Sequence, residues 1–165
     1  MINGCQQYPG RTARTGDVSC NPEAGFFSAD LSPAYPEEAA CRSWVRSYKV
    51  SGSDVVISDS YDLEKRVCAD TINFIVWKEP ALPGEKAGNR KARKGEVLIP
   101  CSDIAETRSM VVSFRFPSGM KVLKQRQEVT DKGQKAQWGP SLWRIRLVTP
   151  DDAPLKGSYS FRISR

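Results

Sequence analysis

Between residues 42 and 63, apolar and polar positions exchange at nearly every step. Trp44, Tyr48 and Val50 alternate with Val45, Ser47 and Lys49; after a polar break, Val55 and Ile57 alternate with Val56 and Ser58. A period of two belongs to a pleated strand with one buried face, so the segment reads as two strands. Ser51-Gly52-Ser53 between them is a polar turn that tolerates positive φ, which makes the pair a hairpin. Strand-like runs recur at 67–77, 96–101, 109–116, 120–129, 142–149 and 158–164, with shorter candidates at 17–20 and 26–31. Turn chemistry separates them at Pro83-Gly84, Lys94-Gly95, Pro117-Ser118-Gly119, Lys132-Gly133, Gly139-Pro140 and Pro150-Asp151-Asp152.

Only residues 36–41 read as helical, with Pro36 first and Glu37 and Glu38 in the opening turn, and for no more than one short helical turn. About nine or ten strands with regular breaks predict an all-β chain, an antiparallel β-sandwich of two packed sheets. At 165 residues the chain is long enough to bury a core, and no repeat or linker divides it, so residues 1–165 read as a single domain. Asn3-Gly4 is a strong hairpin-turn signal with only Met1 and Ile2 ahead of it. The expectation is therefore a piece cut from a longer protein.

Composition narrows the chemistry. Hydrophobic residues make up 39% and charged residues 27%, which favours a globular fold over disorder. No apolar run approaches the ~18 residues of a membrane-spanning helix, and the opening MINGCQQYPGR lacks the apolar centre of a signal peptide. The excess of 25 basic over 19 acidic residues, a charge of +6, suits a polyanion: nucleic acid, anionic lipid or acidic polysaccharide. Histidine is absent. That excludes Ser-His-Asp and Cys-His catalysis and removes the commonest neutral metal ligand. The five cysteines are widely spaced with no CxxC, so neither a zinc knuckle nor a thioredoxin-type pair is expected. Cys68 and Cys101 sit in apolar runs, so buried free thiols are expected, with one unassigned disulfide as the alternative.

Several segments taken in order carry a resemblance. They are INGCQQ at 2–7 with Gly10-Arg11, FFSADLSPAYPEEA at 26–39, RSWVRSYKV at 42–50, VVISDSYDL at 55–63, WRIRLVT at 143–149 and GSYSFRIS at 157–164. Together they resemble the C-terminal β-sandwich region of the heparinase II/III-like polysaccharide lyases, and the likeness covers nearly the whole chain. Its most specific part is an aromatic and an Arg followed by a strand ending Asp-x-Tyr-x-Leu: here Trp44, Arg46, Asp59, Tyr61 and Leu63. The resemblance implies a helical toroid ahead of this β-domain and a parent reaction of β-elimination in a uronic-acid polysaccharide. In that reaction a base removes the C5 proton, an acid protonates the leaving oxygen, and polar groups neutralise the carboxylate. It places the acid–base Tyr and the carboxylate-neutralising groups mainly on the toroid, and a His just ahead of residue 1. This chain alone is therefore expected to be non-catalytic, without a cofactor. The zinc held by the β-domain of some members is not carried over, because no histidine is present. The implied partners are the toroid and an acidic polysaccharide, with no nucleic acid and no membrane span, in a periplasmic or extracellular setting.

Candidate contact residues each have a plainer reading. NRKARK at 89–94 gathers Arg90, Lys91, Arg93 and Lys94, cations suited to sulfate or carboxylate; a solvated loop explains them as well. Gln6, Gln7 and Arg11 follow the Asn-Gly turn and suit sugar hydroxyls or a carboxylate, or are ordinary strand surface. Trp77, Trp138 and Trp143 are suited to stacking on pyranose faces. At alternating strand positions such rings are more often core, Trp77 included, and Trp143 with Ile145 and Leu147 fits that strongly, which leaves Trp138, beside Gly139-Pro140, as the better candidate for exposure. Asp59 and Asp62 flank Tyr61 as a glycosidase pair would, although capping or pairing with Arg is the favoured role. The tyrosines Tyr8, Tyr35, Tyr48, Tyr61 and Tyr159 have no evident partner that would lower a pKa. The alternatives to a lyase β-domain are a stand-alone carbohydrate-binding module for acidic glycans and a purely structural interaction domain.

Overall fold

The computed structural model describes residues 1–10, 13–102 and 109–164. The chain is all-β, with antiparallel sheets of seven and three strands, a two-residue hairpin and one short helix, consistent with the expected sandwich. Ten strands of five residues or more are described: β1 (Gly16–Asn21), β2 (Phe26–Asp30), β3 (Cys41–Ser51), β4 (Asp54–Leu63), β5 (Thr71–Val76), β8 (Glu96–Ser102), β9 (Ser109–Arg115), β10 (Lys121–Glu128), β11 (Ser141–Val148) and β12 (Lys156–Ser164). The very short β6 (Lys86–Ala87) and β7 (Arg90–Lys91) complete the set. Tertiary contacts group the chain into two compact units, one of Met1–Thr71 with Val148–Arg162 and one of Ile72–Leu147 with the end of β12.

In the first unit the strands run in the order β1-β2-β3-β4-β12. The predicted hairpin is β3 and β4, closed by Gly52-Ser53, with Ser51 opposite Asp54. Its register sets Trp44 against Tyr61, Arg46 against Asp59 and Tyr48 against Ile57. Trp44, Ile57, Tyr61, Leu63, Tyr159 and Phe161 are buried, and the rings of Trp44 and Tyr61 stack at 5.2 Å. Such a cross-strand aromatic pair contributes about 0.5–1.5 kcal/mol beyond its area. Backbone approach is close where the β1–β2 turn meets β3. Val50 N–H donates to Gly25 O at 2.8 Å, and a Cβ on Gly25 would lie 2.6 Å from Val50 O. Only glycine fits there, and its φ of 58° suits no other residue well.

In the second unit β8 pairs with β9 from Glu96–Arg115 to Ser102–Ser109, and β11 lies between β10 and β5. Val97, Leu98, Phe114, Ile145 and Leu147 are fully buried. The helix α1 (Lys132–Trp138) is exposed along its whole length and starts at Asp131, whose carboxylate accepts the Gln134 N–H at 2.8 Å.

Residues 36–41 hold the one short helical turn expected there, a 3-10 turn at Glu37–Ala39 closed by Ala40 in the left-handed region. Three other expectations need correction. The break at Lys132-Gly133 is the first turn of α1, because the Asp131 cap outweighs the helix penalty of Gly133. The run 67–77 is strand only over Thr71–Val76; Val67 is 63% exposed. All five cysteines are free but none is buried: Cys20 and Cys68 are exposed, and Cys5, Cys41 and Cys101 half-buried.

Candidate functional site

In the first unit the candidate polar residues are mostly consumed by the fold. Asp59 is fully buried, and both its oxygens accept from Arg46, Nε and Nη2 each at 2.7 Å. Burial works against the Arg46 charge, but the Asp59 carboxylate overcomes it and raises the guanidinium pKa above its ordinary value. Asp62 instead accepts from Lys156 Nζ at 2.7 Å near the surface. The pair flanking Tyr61 is thus used in ion pairing, the role favoured over a hydrolase pair. Tyr159 O–H donates to Tyr61 Oη at 3.0 Å, and Tyr61 O–H donates to Pro154 O at 3.2 Å. Burial first, and then the Tyr61 hydroxyl, push the Tyr159 phenol well above its ordinary range, which keeps it protonated at neutral pH.

The Asn3-Gly4 turn forms as predicted, with φ of 47° and 78° and Ile2 and Cys5 bonded across it. Its asparagine does more than turn the chain. The buried Asn3 amide donates to Ala39 O at 2.8 Å and Lys65 O at 2.9 Å and accepts from Val67 N–H at 2.9 Å. The Asn3 N–H donates to Asp70 Oδ1 at 3.0 Å, and Asp70 Oδ2 accepts from Arg66 Nη1 at 2.9 Å. Gln6 and Gln7, just past this hub, are exposed. Arg11 lies outside the described residues.

In the second unit the basic segment is part hairpin, at Arg90 and Lys91, and part loop, with Arg93 and Lys94 in the connection to β8. β6 and β7 pair Lys86 with Lys91 and Ala87 with Arg90. Ala87 and Ala92 are buried against Ala81 and Leu98, which pins the segment down while its long side chains stay outside. Arg90 pairs with Glu96 at 3.4 Å. Among the described residues, the side chains of Lys91, Arg93 and Lys94 make no ion pair and stay exposed.

Trp77 and Trp138 come together in the same unit. Trp77, expected in the core, is 62% exposed just beyond β5; Trp138, at the end of α1, is 46% exposed. Their rings meet edge to face with centroids 6.4 Å apart. Lys78 and Lys135, both exposed, stand beside them in the chain, Lys135 one helical turn before Trp138. Trp143 is half-buried, with Ile145 and Leu147 fully buried after it.

No known protein family matches this sequence, and no curated protein matches it either.

The two exposed rings make a joined apolar feature, whereas single exposed apolar residues are common on protein surfaces. They offer flat π faces and indole N–H donors beside cations. Among the described residues no group of three or more Cys, Asp or Glu side chains is placed to hold a metal.

Proposed function

We propose that this chain is a non-catalytic β-domain that holds an acidic polysaccharide, the C-terminal β-domain of a heparinase II/III-like polysaccharide lyase. In the parent it packs on the helical toroid and walls one side of the cleft where a uronic-acid polymer undergoes β-elimination, in a periplasmic or extracellular setting. The exposed Trp77–Trp138 pair carries the glycan reading. Pyranose C–H faces stack on indoles, and cations nearby suit carboxylate or sulfate. The lyase reading is supported by the ordered resemblance of segments from residue 2 to residue 164.

The test is calorimetric titration with polygalacturonate, heparan sulfate and a neutral β-glucan. Saturable binding to a uronide is expected, weakened about tenfold or more in Trp77→Ala/Trp138→Ala, a loss of ~1.4 kcal/mol. Binding that is indifferent to the tryptophans, or no binding, defeats the glycan reading. Accumulation of unsaturated, ultraviolet-absorbing product from the chain alone defeats the non-catalytic one. A stand-alone carbohydrate-binding module is the second reading, favoured because both indoles belong to the second unit. A reading frame with no helical toroid ahead of residue 1 selects it.

A further inference from the structure

At one end of the β8–β9 ladder the second unit carries a groove that the tryptophan pair does not line. Its volume is about 560 Å³, and its walls include Lys94, Arg115, Phe116, Ser118, Met120 and Val122. That size falls within the roughly 300–1,000 Å³ of small-ligand sites. Met120 is buried and Phe116 and Val122 half-buried, so they give an apolar floor; Lys94 and Arg115 are exposed.

The two cations are left available by the local pairing. Arg115 stands opposite Glu96 in the strand register, the obvious place for a cross-strand ion pair. Glu96 feels the Arg115 charge without forming a close ion pair with it, because its oxygens are taken by nearer donors. Its Oε1 accepts from Ser113 Oγ at 2.6 Å and from Arg90 Nη2 at 3.4 Å, and its Oε2 accepts the Arg93 N–H at 3.1 Å. Among the described residues neither Arg115 nor Lys94 makes an ion pair or a side-chain hydrogen bond. The backbone beneath them is held in place: Phe116 N–H donates to Gly95 O at 3.0 Å and Glu96 N–H to Arg93 O at 3.1 Å.

We infer that this groove is a subsite for a hexuronate residue, its carboxylate held by Lys94 and Arg115 and its C–H face lying on Phe116, Met120 and Val122. The inference rests on the proposed function for its ligand class, a glycan, but on different residues. A guanidinium presents two parallel N–H groups to a carboxylate, and an ammonium beside it adds a point charge. A neutral sugar fills the apolar floor and leaves both cations solvated, so the groove selects for acid.

The probe is trigalacturonate, with its fully methyl-esterified form as the neutral control. In ¹⁵N spectra the amides of Gly95, Ser118 and Gly119 should shift with trigalacturonate and not with the ester. Lys94→Gln/Arg115→Gln should weaken trigalacturonate binding about tenfold or more, and Lys94→Arg/Arg115→Lys should restore most of it. Both pairs alter exposed side chains, and thermal unfolding confirms that each variant folds. If the glutamine variant binds as tightly as the wild type while Trp77→Ala/Trp138→Ala does not, the groove inference falls and the tryptophan site stands. If the wild type binds neither trisaccharide, both fall. If a poly-aspartate peptide shifts the same amides and trigalacturonate does not, the groove is an acidic-peptide site and the hexuronate assignment is overturned.

Discussion

Two sets of polar residues, one in each unit, are used in opposite ways. In the first, Arg46 and Asp59, Arg66 and Asp70, and the amide of Asn3 are buried or nearly so, and each is matched to a partner at 3.0 Å or less. In the second, Lys91, Arg93, Lys94 and Arg115 are exposed, and among the described residues none is paired. Burying a charge is tolerable only with a partner in good geometry, whereas an exposed cation costs the fold almost nothing. The first arrangement therefore specifies structure, and the second leaves charge available to a ligand. Arg46 and Asp59 of the β3–β4 hairpin belong to the first kind.

The largest expected effect comes from breaking that pairing. Arg46→Ala leaves the fully buried Asp59 carboxylate without both of its donors and should cost about 3–5 kcal/mol. Replacing the pair together, Arg46→Met with Asp59→Leu, should recover most of it, because two well-packed apolar groups need no partners. Urea denaturation followed by far-ultraviolet circular dichroism measures both. A single-variant cost below about 1 kcal/mol would mean that the pair behaves as a surface ion pair, and the contrast between the units would fail there.

The sequence shows one side of this contrast more plainly than the other. Period-two alternation marks β3 and β4 to within a residue or two, because the pattern is local and Trp44, Ile57, Tyr61 and Leu63 are buried, although Val50 at the hairpin end is 52% exposed. The same reasoning fails at Val67 and Cys68, an apolar stretch that stays outside the sheet because Asn3 Oδ1 takes their backbone N–H groups, at 2.9 and 3.4 Å. That partner lies more than sixty positions away, and no window on the sequence contains both. α1 did leave a signal: Asp131 with Gln134 three positions on, then Gly139-Pro140 after the end. Gly133 hid it. Alternating strand positions favour core for Trp77, yet the strand stops at Val76 and the indole turns out beside Trp138. Exposure of a ring at a strand end is a tertiary property, so the aromatic pair could not be read from spacing.

A smaller effect separates Glu96 from the cations around it. Glu96 is buried, and although burial opposes its charge, the Ser113 hydroxyl, the Arg93 N–H and the charges of Arg90 and Arg115 hold its carboxyl below the ordinary value of 4.5. The unfolded chain then binds a proton at a higher pH than the folded one. The resulting stabilisation is complete above that ordinary value and is lost as pH falls through the lower folded pKa. Glu96→Gln places an amide N–H where donors already point and should cost about 1–3 kcal/mol at neutral pH. The gap between variant and wild type should close as pH drops below the ordinary value. A gap that stays constant across that window would show that the carboxylate charge is not what Glu96 contributes.

The smallest expected effect tests the exposed cations themselves. Lys91→Gln/Arg93→Gln removes two charges that have no ion-pair partner among the described residues, so stability should change by less than about 0.5 kcal/mol. The same variant sharpens the groove assignment, because neither residue is part of its lining. At low salt the loss of two positive charges should weaken trigalacturonate binding through the general field of the unit. At physiological salt, where the Debye length is about 8 Å, most of that loss should vanish. The Lys94→Gln/Arg115→Gln loss should persist there, since charges in direct contact with a carboxylate are screened far less. Equal salt sensitivity in the two variants would show that the basic segment acts only as a diffuse charge, with no cation singled out by the groove.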